Sequence, residues 1–385
     1  MTKSKNGQSW EQIRARFPVL HKQTYLNSCS YAALASEVEA SLQRYLAARN
    51  DRGADWDYWL ERNQAVRDSV ARLLGAGSNE IAVTASVSAG INALASALSF
   101  DGPRNKVVIT DFEFPTNAQI WYAQELRGAR VVRLTEENGK IPLEKFAQAI
   151  DEETLIVATA QVAFRHGAKQ DVAAIAEIAR SKGALTLVDG YQALGTLQFN
   201  VKTSGVDFVV GGMLKYLLGT AGIGFLYARQ ELIESLTPTV TGWFAQEDIM
   251  AMDITRYAPA TTARRFEAGT PAVPNTYMAE AGLAIVHEVG LEAIEHRIGE
   301  LTAAIKSAAT AAGYRLASPF NPAEHAAMIT IRCSDHNRLV ASLAEDNIVV
   351  SGRNGNLRIA PHFYNNQADI DHLFHALQQR RELLV

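Results

Sequence analysis

Apolar positions recur at helical spacing through the first 75 residues. Trp10, Ile13 and Phe17 mark one face of a short helix over 10–17, behind a polar segment, 1–9, expected to be disordered at its start. The spacing returns over 37–49 and 59–74, where Gly75 and Gly77 stop the second helix. From Glu80 the pattern changes. Short apolar runs at 81–83, 107–109, 131–132, 155–157, 184–188, 208–210 and 223–227 read as strands. Helical stretches at 88–99, 119–126, 143–150 and 172–182 separate them. This alternation predicts an α/β fold, a mostly parallel sheet of about seven strands with helices on both faces. Residues 230–275 break the pattern and read as irregular, which suits the border of a site. Beyond them come a helix from 279 to 289, continued over 291–312, then strands at 328–331, 348–350 and 357–359, and a terminal helix over 369–384. The expected organisation is an N-terminal segment, 1–30, packing with a small α+β domain, 256–385, and a large domain, 31–255.

A chain of 385 residues suits two domains. A net charge of −4 without a basic tract argues against nucleic acid as a main partner. Cys29 and Cys333 lie too far apart in sequence to suggest a disulfide framework, which points to a reducing, cytoplasmic compartment. The polar N-terminus does not read as a signal peptide. No run approaches the ~20 apolar residues of a membrane helix, so no membrane association is expected.

Two strand ends carry the candidate chemistry. The run 184–188 stops at Asp189. The run 206–210 leads through Gly211, Gly212, Met213 and Leu214 to Lys215. The intervening 25 residues are enough for a loop, a strand and a turn, so both side chains can meet over one crevice at strand carboxyl ends. A lysine amine can form a Schiff base, and an aspartate can hold a pyridinium nitrogen protonated. A phosphate-loop ATPase would need Ser or Thr after the lysine, and Tyr216 stands there. The turn 86–90 lies between a strand and a helix. Its backbone N–H groups and the Ser88 hydroxyl make an anion site without a basic residue. No metal site is expected.

The stretch Asp189-Gly190-Tyr191-Gln192, with Leu214-Lys215-Tyr216-Leu217-Leu218-Gly219 and Gly222-Ile223-Gly224, resembles the pyridoxal-phosphate site of the class V aminotransferase family. That family includes cysteine desulfurases, kynureninases and isopenicillin N epimerases. The resemblance runs from about residue 20 to 380, and later motifs at 264–271 and 357–365 fall in the family's order. It implies a fold-type-I pyridoxal-phosphate enzyme that acts on an amino acid, with Lys215 as the Schiff-base lysine and Asp189 on the pyridine nitrogen. By the same resemblance Gln192 faces the ring hydroxyl, Val87 and Ser88 hold the phosphate, and Phe114 stacks on the ring. Phe164 flanks it in the segment 162–167. Asn27, Arg165 and His166 become substrate contacts. Arg358 forks the substrate carboxylate, a task suited to a guanidinium, and Arg353 assists or reads a second acid group. Thr270, in Gly269-Thr270-Pro271, resembles the segment that a neighbouring subunit lends to the phosphate, which implies a homodimer with shared sites.

The sequence departs from the family's desulfurases in four places. Leu214 replaces the histidine before the lysine, Phe114 replaces another histidine, and Gly212 replaces a hydroxyl residue, so some phosphate contact must come from elsewhere. The loop between Val350 and Arg358 carries no cysteine, and Cys29 and Cys333 lie outside it, which makes persulfide chemistry a poor expectation. Transamination is therefore ranked first, elimination of the C–S or kynureninase type second and epimerisation third. A cofactor-sensing regulator would need a fused DNA-binding module. The resemblance begins near residue 20 and leaves no room for one.

Overall fold

The computed structural model describes residues 4–385. A short strand, β1 (Thr24–Tyr25), precedes the main sheet. The seven runs expected as strands then follow as β2 (Ile81–Thr84), β3 (Lys106–Thr110), β4 (Arg130–Leu134), β5 (Thr154–Ala160), β6 (Leu185–Asp189), β7 (Phe208–Gly212) and β8 (Gly224–Ala228). They form one seven-stranded sheet in the order β2-β8-β7-β6-β5-β3-β4. β8 runs antiparallel to both neighbours, and the other pairs are parallel.

The strands read as continuous apolar runs because both faces are covered. Val107, Ile109, Ile156, Ala158, Leu187, Phe208 and Val210 enter the core on one face. The alternating Val108 and Val157 enter the core on the other, as do Val188 and Val209 further along the sheet. This is the two-residue period of a pleated strand.

The C-terminal region adds β9 (Ile329–Arg332), β10 (Ile348–Val349), β11 (Ser351–Arg353) and β12 (Asn356–Ile359). β11, β12 and β9 make a small antiparallel sheet in that order. β10 instead pairs in parallel with β1, Thr24 opposite Ile348 and Tyr25 opposite Val349. That pairing ties the N-terminal segment to the C-terminal region and brings residues 27–33 to the rim of the large sheet.

Four of the boundaries that differ from expectation have an identifiable cause. Expected disorder at the start falls partly on residues 1–3, outside the described residues. From Ser4 the chain is folded: Ser4 is buried, and the Lys5 N–H donates to the Val289 carbonyl at 2.9 Å. The first helix, Trp10–Arg14, stops before residue 17, and Pro18 opens a 3₁₀ turn. The long helix starts at Val273 rather than 279. Pro274 is tolerated in its first turn, where an N–H would be unpaired anyway. The last helix, Gln367–Gln378, ends early so that Leu384 can return to pair with Cys333. Among the described residues, no helix is long and apolar enough to cross a membrane.

Candidate active site

Thr110, Ala160, Asp189 and Gly212 are the last residues of β3, β5, β6 and β7. The turns beyond them, with the helix that follows β2, border a cavity of about 390 Å3. Such a crevice lies where parallel α/β sheets bind ligands, and its size is in the ~300–1,000 Å3 range of small-molecule sites.

Asp189 is buried at the cavity floor, and the Tyr191 N–H donates to its Oδ1 at 2.9 Å. Burial raises its pKa above the ordinary carboxylate value, against that N–H and the charge of Lys215. Lys215 sits on a tight turn closed by Gly219 N–H to Met213 O at 2.8 Å and Leu218 N–H to Lys215 O at 3.0 Å. Its Nζ stands 4.2 Å from the Tyr191 ring centroid and 5.7 Å from that of Phe114, and hydrogen-bonds to none of the described residues. Burial lowers this amine to about 8, opposed by Asp189. Gln192 donates through Nε2 to the Cys29 carbonyl at 3.0 Å, and its buried Oε1 has no partner among the described residues. Phe114 is 47% exposed, its face to the cavity and its ring edge-on to Phe164 at 5.2 Å.

Behind Phe114, Glu113 is fully buried. It accepts from Thr110 Oγ1 at 2.7 Å, from the Ala160 N–H at 3.0 Å and from Asn117 Nδ2. One carboxylate therefore joins the ends of β3 and β5. Burial pushes it up to about 8.

The helix Val87–Ala97 points its N-terminus at the cavity. Ser86, not Ser88, caps it, accepting from the Ala89 N–H at 3.1 Å. That leaves the first-turn N–H groups and Ser88 facing the cavity, with the Ser88 hydroxyl 3.4 Å from Thr116 Oγ1. Gly224 lets β8 pass this turn closely: a Cβ there would lie 3.1 Å from the Ser86 carbonyl carbon and 3.1 Å from the Val87 nitrogen.

At the opposite end Arg358 is 3% exposed. Its Nε donates to Ser351 Oγ at 3.1 Å, Nη1 to the Phe164 carbonyl at 2.9 Å and Nη2 to Ser30 Oγ at 3.0 Å. A guanidinium has five N–H donors, so one remains on each terminal nitrogen, the pair a carboxylate takes in a fork. Arg353 also lines the cavity and is exposed.

Val87, Ser88, Phe114, Phe164, Asp189, Gln192, Lys215, Arg353 and Arg358 thus come together around one cavity. Four other candidates do not line it. His166 is turned to Glu136 Oε2 at 3.2 Å and packs on the edge of Phe112. Burial lowers its pKa, with Glu136 opposing. Arg165 lies over the Phe164 ring at 5.5 Å. Asn27 is behind Cys29, its Oδ1 3.8 Å from the sulfur. Thr270 is exposed. Conversely, Cys29, Ser30 and Tyr191 line the cavity without having been singled out. Tyr191 stood inside the Asp189–Gln192 stretch, but nothing in the sequence showed that it meets Gly212. Nothing in the sequence marked Cys29, which arrives through the β1–β10 pairing. Cys333 lies elsewhere, and burial raises its thiol to about 11.

Comparison with known proteins gives the family and the fold. The family model described as aminotransferase class-V matches residues 25–373. A Bacillus subtilis (strain 168) protein named "Uncharacterized aminotransferase YcbU" is 35% identical over 362 residues, 94% of this chain and 95% of that one. The kynureninase of Deinococcus radiodurans is 29% identical, covering 88% and 87%. Among solved structures, a cysteine desulfurase from Thermococcus onnurineus NA1 superposes with a TM-score of 0.87 over 96% of this chain and 97% of its own, at 23% identity, a likeness of fold.

Proposed function

The chain belongs to the class-V aminotransferase family and is a pyridoxal-phosphate-dependent enzyme, and from that premise we propose that it acts at the α-carbon of an amino acid as an aminotransferase. Its fold is the fold-type-I architecture, a mostly parallel seven-stranded sheet with a smaller α+β part. The observation that carries the proposal is the Lys215 amine, without a hydrogen-bond partner among the described residues and lowered by burial to about 8, beside a buried Asp189.

The donor set fits the cofactor. The unpartnered Gln192 Oε1 calls for a donor, as the ring hydroxyl would be. The exposed face of Phe114 offers a stacking surface, and the helix start at Val87 and Ser88 offers N–H donors to a phosphate. Lys215 is the residue that would hold the group covalently. When bound, pyridoxal phosphate supplies an electron sink for the pair left at the substrate's α-carbon. With the ring bound, Asp189 as a carboxylate would hold the ring nitrogen protonated. Arg358 orients the substrate by its carboxylate through its two free N–H donors. Lys215, as a free amine, would take the α-proton and return it across the amino nitrogen, two atoms away, to the cofactor's carbon, which is what transamination requires. Arg353 is the candidate contact for a substrate side chain.

Elimination of the C–S or kynureninase type is the second reading. Cys29 at the cavity and relatives named kynureninase and cysteine desulfurase favour it. Epimerisation ranks third, because Phe114 stands where relatives carry a histidine and can move no proton. Thr270 is proposed to reach a partner's site in a homodimer. Two buried, unpaired thiols suit a reducing cytoplasm. A screen of amino acids for spectral change, followed by product analysis, tests the ranking. Keto acid formed at a rate unaffected by Cys29→Ser supports transamination, whereas ammonia or sulfide lost with that substitution overturns it.

A further inference from the structure

Gly212 closes β7, and its missing side chain is matched by a neighbour. A Cβ at 212 would lie 2.2 Å from Cζ, 2.3 Å from the hydroxyl oxygen and 2.6 Å from Cε2 of Tyr191. The tip of the phenol therefore fills the space that any side chain at 212 would enter. Gly212 is paired with Gly224 across β7 and β8. Gly224 in turn touches the backbone of Ser86 and Val87. The phenol tip thus lies against the glycine that is one strand away, ~4.8 Å, from the glycine against which the helix N-terminus rests. Tyr191, Ser86, Val87 and Ser88 line the same cavity.

Building on the pyridoxal-phosphate reading of this cavity, we propose that the Tyr191 hydroxyl anchors the cofactor's phosphate, in place of the hydroxyl residue that Gly212 replaces. The phenol is half-buried, and its O–H has no hydrogen-bond partner among the described residues. Burial raises its pKa above the ordinary 10, with Asp189 and Tyr31 adding to the effect, so it stays a neutral donor. Its backbone is fixed by the N–H bond to Asp189, and its ring carries the Lys215 amine over one face. The basic residues lining the cavity besides Lys215 are Arg353 and Arg358, which belong to the carboxylate end. The phosphate end therefore relies on amides and hydroxyls, and one phenol donor there is a sizeable share of the binding.

The test measures binding to the apoprotein by absorbance or fluorescence, with pyridoxal phosphate, with pyridoxal lacking the phosphate, and with inorganic phosphate as competitor. Tyr191→Phe should weaken pyridoxal phosphate roughly tenfold to hundredfold, the loss of one charge-assisted bond. It should leave pyridoxal unchanged and make phosphate a poorer competitor. Gly212→Ser alone should also weaken the cofactor, since its side chain meets the phenol. Tyr191→Ala combined with Gly212→Ser should recover affinity, because a hydroxyl again stands at that place. Equal losses for both pyridoxal forms, no loss in Tyr191→Phe, or a double variant no better than Gly212→Ser would each overturn the assignment. A wild type that takes up neither form would instead overturn the cofactor reading, and this inference with it.

Discussion

Arg358 donates from Nη1 to the carbonyl of Phe164 at 2.9 Å, joining the small sheet to the turn after β5 of the large one. The same guanidinium thus braces two parts of the fold and offers its remaining donors to a substrate carboxylate. Arg358→Ala should lower kcat/KM roughly tenfold to hundredfold, the ~1.5–3 kcal/mol of a lost charge-assisted bond. Cofactor absorbance should persist, because the phosphate end lies elsewhere. Arg358→Lys should recover little, since an ammonium cannot make two parallel bonds. Steady-state kinetics beside cofactor spectra decide it, and a fully active Arg358→Ala enzyme removes the carboxylate role.

The Lys215 amine sets a pH dependence for covalent uptake of the cofactor. Its pKa is lowered to about 8, chiefly by burial, and the neutral amine is the nucleophile. Uptake by apoprotein should fall roughly tenfold per pH unit below 8 and level off above it. Borohydride should fix the cofactor on the peptide containing Lys215, and Lys215→Ala should abolish the fixation. Label recovered on a different lysine contradicts the assignment.

The strands and the Asp189–Lys215 pair were legible because each leaves a local mark. A fully buried strand is an apolar run whatever lies beside it, and a lone acid or lysine at its end is conspicuous. Relations made by register were not legible. Gly212 meets Tyr191 because β6 and β7 pair with Asp189 opposite Val210. Cys29 enters the cavity because β1 lies along β10, 163 residues separating it from the Gln192 side chain it receives. His166 looked like a substrate contact in its loop, yet Glu136 and Phe112 hold its ring outside the cavity. One helix end shifted for the same reason: Leu384 leaves the last helix for a partner more than fifty positions upstream, Cys333.

Glu113 should make the stability of the cofactor-free protein fall as pH rises. Its folded pKa, about 8, lies above the ordinary 4.5, mainly through burial. The folded state then binds the proton more tightly than the unfolded one. This contribution is fully present below pH 4.5 and lost as pH passes through 8. Glu113→Gln cannot titrate, so its unfolding free energy should lose this part of the slope. It should also be less stable by ~1–3 kcal/mol, because an amide NH2 would face the Asn117 NH2, both donors. Urea unfolding across pH checks both effects, and parallel pH profiles for the two proteins would show that Glu113 does not titrate in this range.

Thr270 provides the test of assembly. It is exposed, it does not line the cavity of its own chain, and the neighbouring Gly269 has nothing within 4 Å of a built Cβ. A residue so placed can act on a cavity if a second copy presents it there. A Thr270→Arg chain should then spoil its partner's site while its own cavity stays intact, and a Lys215→Ala chain should be inactive in its own cavity while lending a sound Thr270. In a mixed dimer, one of the two sites combines the intact Lys215 with the intact Thr270. Random mixing of equal amounts puts about half of the dimers in the mixed form, each with one working site of two, so roughly a quarter of wild-type activity should return. Each variant alone should stay inactive, and tagged co-purification should show that mixed dimers formed. Verified mixed dimers without recovered activity would place Thr270 outside the shared site, and active Thr270→Arg homodimers would deny it any role in the phosphate end.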